Sequence, residues 1–167
     1  NIRNALRATA SETFTSVSAP IQYAAIKGFT CNHSEYLKKS RAILNHVASF
    51  VYRELISVGV RSLKPSGGFY ILCDFSNVIN NSGRIINDKD LCKRLLKETG
   101  VATLPGSDFG LDKEDMILRL AFVDFDGGKI LDKIDSNNQL HEVSLMDYFP
   151  RINEGIKRLK DWIIKDK

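Results

Sequence analysis

Arg119 stands inside the run MILRLAFVDF, residues 116–125, where its neighbours are apolar or small until Asp124. A strand period of two puts Leu118, Leu120 and Phe122 on one face and Ile117, Arg119, Ala121 and Val123 on the other. A guanidinium in such company must reach water or meet an anion, and its planar fork matches a carboxylate through two parallel hydrogen bonds. Burying it unpaired would cost several kcal/mol. The chemistry indicated is carboxylate recognition. The alternative is an edge strand, from which Arg119 reaches solvent or pairs with Asp108 or Asp115.

Three further stretches can border a site. In PSGGFYILCDF, residues 65–75, Gly67 and Gly68 run straight into Phe69 and Tyr70. Such a pair marks a turn, a bulge or a place where a ligand approaches the backbone closely. In LPGSDFG, residues 104–110, Pro105, Gly106 and Gly110 define a tight loop that presents Phe109, although turn chemistry alone also explains it. In TSVSAP, residues 15–20, Ser16 and Ser18 at a helix start could hold an anion with hydroxyls and backbone amides; the alternative is that Ser18 serves only as the cap.

Other chemistries find no support. No Ser-His-Asp arrangement, H-E-x-x-H, phosphate-binding G-x-x-x-x-G-K-[ST] or strand-to-helix dinucleotide pattern is present. Cys31 and His33 form a C-x-H pair without a second pair at ligand spacing, so no metal site is expected. Basic residues number 24 and acidic residues 20, a net charge of +4 without basic runs interleaved with aromatics, which argues against a nucleic-acid partner. Three cysteines, an odd number, argue against a disulfide framework and for a reducing, cytoplasmic setting. No apolar run reaches membrane-span length and no signal peptide is visible, so no membrane partner is expected. The start at Asn1 rather than Met predicts a fragment or processed product.

The elements that must position these residues follow from periodicity. With 167 residues, 43% of them hydrophobic, the chain predicts a single domain with a sizeable core. Residues 1–13 are polar and mixed; Ser18 and Pro20 open a short helix ending near Gly28. Ile43, Leu44, Val47, Phe50, Val51 and Leu55 recur three and four apart, predicting a long amphipathic helix from Ser34 to Gly59. A strand-like piece at 60–63 precedes the FYILCDF strand, and SNVINNSGRIIN reads as a loop. Asp88 or Asp90 caps a helix that ends at Gly100, and VATLPG is a short strand before the arginine strand. The polar run DSNNQ suggests a surface insertion or broken helix. Pro150 opens a closing helix with Ile152, Ile156, Leu159 and Ile163 on one side and Trp162 beside them.

In this order, SVSAPIQYAA, the long helix, PSGGFYILCDF, LLKETGVATLPGSDFG and LRLAF resemble the C-terminal part of class I/II aminotransferases, the fold type I enzymes that use pyridoxal 5'-phosphate (PLP). The likeness runs from about Ser11 to Trp162. It implies an α+β fold, the small C-terminal domain with a mostly antiparallel sheet covered by helices, and assigns residues 1–33 to a linker and interdomain helix. It gives Arg119 the substrate α-carboxylate, and Gly68, Phe69, Tyr70 and Phe109 the cleft wall. It places Ser16 or Ser18 near a cofactor phosphate across a dimer interface.

The same resemblance implies amino-acid and 2-oxo-acid substrates, a large PLP-binding domain as partner, and a homodimer in the full enzyme. The lysine that binds the cofactor covalently, and most of its other ligands, belong upstream of the matched segment, and Lys27, Lys38 and Lys39 do not occupy that position by motif. The expectation is therefore a chain without catalytic residues of its own, inactive alone and not retaining PLP. Two alternatives stay open: a free-standing module that binds small carboxylates for regulation, and the same domain from a fold type I decarboxylase, lyase or synthase.

Overall fold

A computed structural model describes residues 1–14, 16–79, 85–134 and 147–166. The chain divides into two compact units, Asn1–Glu35 and Tyr36–Lys167. The DSNNQ run and the middle of the SNVINNSGRIIN loop lie outside the described residues.

The N-terminal unit is helical. Helix α1, Ile2–Phe14, forms where the sequence reads as polar and mixed. Its alanines favour helix, and Thr9 and Thr13 return their hydroxyls to the carbonyls of Ala5 and Thr9 at 3.0 and 2.9 Å. Helix α2, Ala19–Thr30, starts at the Ser18 cap with Pro20 in its first turn. It does not stop at Gly28 but runs through it to Thr30, because a mid-helix glycine costs only about 1 kcal/mol.

The C-terminal unit is built on helix α3, Ser34–Ser57, whose first two residues belong to the other unit. Ile43, Val47, Ala48, Val51 and Leu55 form its buried stripe. Gly59, at φ 97°, takes the left-handed conformation that ends the helix. The piece at 60–63 is reduced to a single bridge between Arg61 and Asp74. Strand β1, Tyr70–Asp74, follows. Helix α4, Asp88–Thr99, is capped by Asn87, not by either aspartate: the Asn87 side chain accepts the Asp90 N–H at 2.9 Å. Gly100, at φ 75°, closes it as expected.

Strands β2, Leu104–Pro105, and β3, Ile117–Ala121, complete an antiparallel sheet of order β1-β3-β2. Helices α5, Gly127–Leu131, and α6, Pro150–Asp166, follow. Leu118 pairs with Cys73 and Leu120 with Ile71, and all four side chains are buried in one core with the apolar stripes of α3, α4 and α6. Ile152, Ile156, Leu159, Trp162 and Ile163 supply the α6 part. The opposite sheet face is left to solvent: Tyr70, Leu72 and Leu104 are 41, 49 and 45% exposed. The architecture is α+β, as the sequence predicts. Among the described residues no helix is long and apolar enough to cross a membrane.

Candidate functional site

Arg119 lies on the solvent face of β3, which is the central strand and not an edge. Its ladder partners are Leu72 in β1 and Leu104 in β2. The guanidinium carbon sits 4.2 Å from the ring centroid of Tyr70 and 4.1 Å from that of Phe109. No carboxylate among the described residues pairs with it: Asp108 instead meets Lys89 at 3.2 Å. Two ring faces therefore cover the cation, each attracting it through the ring quadrupole.

Each ring arrives by a separate route. Tyr70 is the first residue of β1, paired with Ala121, so it lies diagonally across the ladder from Arg119. Phe69 precedes it, its ring 4.3 Å from that of Tyr70, and its carbonyl accepts the Phe122 N–H at 3.1 Å. Phe109 comes from the loop after β2, where a short 3-10 turn, Gly106–Phe109, ends at Gly110 with φ 86°.

The glycine pair has two different meanings. Gly68, at φ 68°, needs the left-handed conformation that admits glycine most readily, whereas Gly67 does not. A β-carbon at either would meet nothing within 4 Å. Both border a cavity of about 420 Å³ against α3, beside Arg41, Leu44 and Ala48. On the sheet face, Tyr70 and Leu72 also line an open groove of about 680 Å³ with Leu63, Leu111 and Ile117.

Sequence reasoning offered Asp88 only as a helix cap and did not single out Ser107. Asp88 is fully buried, accepting the Ser107 N–H at 2.7 Å and its hydroxyl at 3.1 Å. A buried aspartate on the first turn of a helix reads in sequence as a cap, and only the folded chain shows where its carboxylate goes. Ser16 and Ser18 lie in the N-terminal unit. Ser18 caps α2 through its carbonyl, which accepts the Gln22 N–H at 3.1 Å, with no side-chain cap bond. Among the described residues no group of His, Cys, Asp and Glu is arranged to hold a metal.

The family model "Aminotransferase class I and II" matches residues 1–126. The chain is 28% identical over 98% of its length to an aspartate aminotransferase of Sulfolobus acidocaldarius, covering 34% of that protein. It is 34% identical over 56% of its length to 1-aminocyclopropane-1-carboxylate synthase 6 of rice (Oryza sativa subsp. japonica), covering 18% of it. The crystal structure of the aspartate aminotransferase from Rhizobium meliloti shares its fold, with a TM-score of 0.68 and 21% identity over 96% of this chain and 34% of that one. The chain thus spans about a third or less of the length of these relatives. Its α+β fold is that of a part of the fold type I aminotransferases.

Proposed function

The chain belongs to the class I and II aminotransferases, and on that premise we propose that it is the small domain that grips the α-carboxylate of an amino-acid or 2-oxo-acid substrate through Arg119. The supporting observation is the guanidinium of Arg119 placed over the rings of Tyr70 and Phe109 on the outward face of the central strand. The rings shield the faces of the guanidinium, so its N–H edge is the part left to donate two parallel hydrogen bonds to a carboxylate. Gly68 and Phe69 continue the wall of the same cleft, and Ser16 or Ser18 lies near a cofactor phosphate of a neighbouring subunit in a homodimer.

The family uses PLP, which supplies the electron sink for amino-group transfer. The surroundings of Arg119 do not fit that cofactor. Its neighbours are Leu72, Leu104 and two rings, which offer neither an amine for covalent attachment nor a phosphate cradle. Lys89, which reaches the adjoining loop, is engaged by Asp108. We therefore assign covalent attachment of the cofactor to a large domain outside this chain, and to this chain the binding and orientation of the substrate carboxylate, with the phosphate contact of Ser16 or Ser18 made to a neighbouring subunit.

Kinetics of the complete enzyme carrying this chain test the reading. Arg119→Lys, which keeps the charge but loses the planar fork, should raise KM for the amino-acid substrate by about tenfold or more. An unchanged KM overturns it. The purified chain should show neither turnover nor a cofactor absorbance band after dialysis; both together would sink the assignment to a part inactive alone. Titration calorimetry separates this part from a free-standing regulatory module: the module should bind one amino acid or 2-oxo acid with a saturable, Arg119-dependent heat that acetate does not reproduce, whereas the small domain alone should hold these carboxylates and acetate alike, and only weakly. The similarity to a protein named as a synthase favours a second reading, in which the same carboxylate grip serves another fold type I reaction. Product analysis of the complete enzyme separates the two.

A further inference from the structure

We propose that Asp88 is a positioning residue for the carboxylate site: from the start of α4 it fixes the 106–110 loop so that the Phe109 ring stays on the Arg119 guanidinium. The proposal rests on Arg119 as the carboxylate ligand.

Phe109 is 47% exposed, so burial does not hold its ring in place. The loop backbone must do so. That loop is tied on two sides. On one side Gly106 is pressed against the backbone of β3 at Ile117, and the Leu111 N–H closes the turn onto the Gly106 carbonyl at 3.3 Å. On the other side Asp88 spends both carboxylate oxygens on Ser107, two residues before Phe109.

A carboxylate with no exposed surface is an expensive way to hold a loop unless its geometry matters, because an ionised group loses its hydration on burial. Here the loss is offset by two hydrogen bonds and by the positive end of α4. Two weaker ties run parallel to it: Lys89 meets Asp108, and the Thr103 hydroxyl donates to the Cys92 thiol sulfur at 3.3 Å. Neither grips the backbone of the loop. The Asp88 carboxylate does, through the Ser107 N–H, and so sets the register of the residues that follow.

NMR of the 167-residue chain labelled at arginine tests this. The Arg119 side-chain resonance carries ring-current shifts from both Tyr70 and Phe109, and Phe109→Ala defines the value with one ring gone. Asp88→Asn keeps the volume and one acceptor oxygen but loses the charge and the second acceptor; Ser107→Ala keeps the backbone donor. The expected result is an Arg119 signal in Asp88→Asn moved most of the way to the Phe109→Ala value, with a smaller move in Ser107→Ala and none added when Asp88→Asn is combined with Phe109→Ala. Acetate titrated at constant ionic strength should then bind several-fold more weakly to Asp88→Asn than to the parent chain. An Arg119 signal and acetate affinity unchanged in Asp88→Asn, whatever happens to the melting temperature, overturns the positioning role. Should Asp88→Asn not fold, the Ser107→Ala and Ser107→Pro signals decide in its place, since proline removes the N–H that Asp88 holds. A parent chain whose Arg119 signal ignores acetate while Asp88→Asn still moves it overturns the carboxylate reading, and the proposal with it, but leaves the loop contact measured.

Discussion

A β-carbon added to Gly106 would lie 2.6 Å from the carbonyl oxygen of Ile117. Backbone meets backbone there, where the loop carrying Phe109 turns against the strand carrying Arg119. Because the obstacle is a strand carbonyl and not a flexible side-chain end, Gly106→Ala must push loop and sheet apart. A loss of about 1–3 kcal/mol is expected, the usual range for overpacking, seen as a lower urea midpoint at unchanged slope. Gly67→Ala is the control. It meets nothing within 4 Å and has no positive φ, so it should change stability by less than about 1 kcal/mol.

The two faces of the sheet should respond very differently to truncation. Leu118 of β3 is fully buried, while Leu72, across from Arg119, is half exposed. Leu118→Ala removes core contacts and leaves a cavity, at a cost of about 2–5 kcal/mol. Leu72→Ala should cost less than about 1 kcal/mol. Chemical denaturation of the two variants checks the contrast; equal losses would mean that the outward face is packed in solution.

How far the sequence speaks depends on the range of the contact. Helices α3 and α6 were legible because Ile43 to Leu55 and Ile152 to Ile163 repeat at helical spacing, and the two faces of β3 because strand side chains alternate. Helix α1 was not, since its residues read as polar and mixed and its side chains are mostly exposed. The helix α4 cap, expected at Asp88 or Asp90, lies at Asn87 for a physical reason. Asp88, a good cap by type, is drawn instead to Ser107, far along the chain, and Asn87 takes the cap. At the site, period two put Arg119 on the face opposite Leu118, Leu120 and Phe122, and the structure buries that other face. The rings of Tyr70 and Phe109 over it depend on strand register and loop anchoring, which local pattern does not encode.

Thiol reactivity should follow burial. Burial pushes the Cys73 thiol up to about 12. The Cys92 thiol is also raised, by partial burial foremost, against which the Thr103 hydrogen bond works. Cys31 is exposed. Since the thiolate is the reactive species, iodoacetamide at pH 8 should label Cys31 first, Cys92 slowly, and Cys73 only on unfolding. Mass spectrometry of timed samples reads the order. Prompt labelling of Cys73 in the native chain would contradict the packing of β1 against the core.

Acid should loosen the junction between Arg61 and β1. Burial pushes the Asp74 carboxyl up, but hydrogen bonds from the Ser76 hydroxyl and N–H, then the Arg61 guanidinium, outweigh it and hold the group below the usual carboxylate range. Arg61 lies 2.6 Å from Asp74, and the two residues also exchange backbone hydrogen bonds at 3.0 and 2.8 Å. The sign follows from linkage. A carboxyl that is more acidic folded than unfolded releases its proton more readily in the native state, so its contribution is present above the unfolded pKa and lost as pH falls through the folded one. Asp74 should therefore help fully above about pH 5 and progressively less as the pH drops through about 4 and below. Asp74→Asn removes that contribution, so its melting temperature should trail the parent at pH 7 and converge with it toward pH 3. A gap of constant size across that range would show that the residue acts through its hydrogen bonds and not its charge.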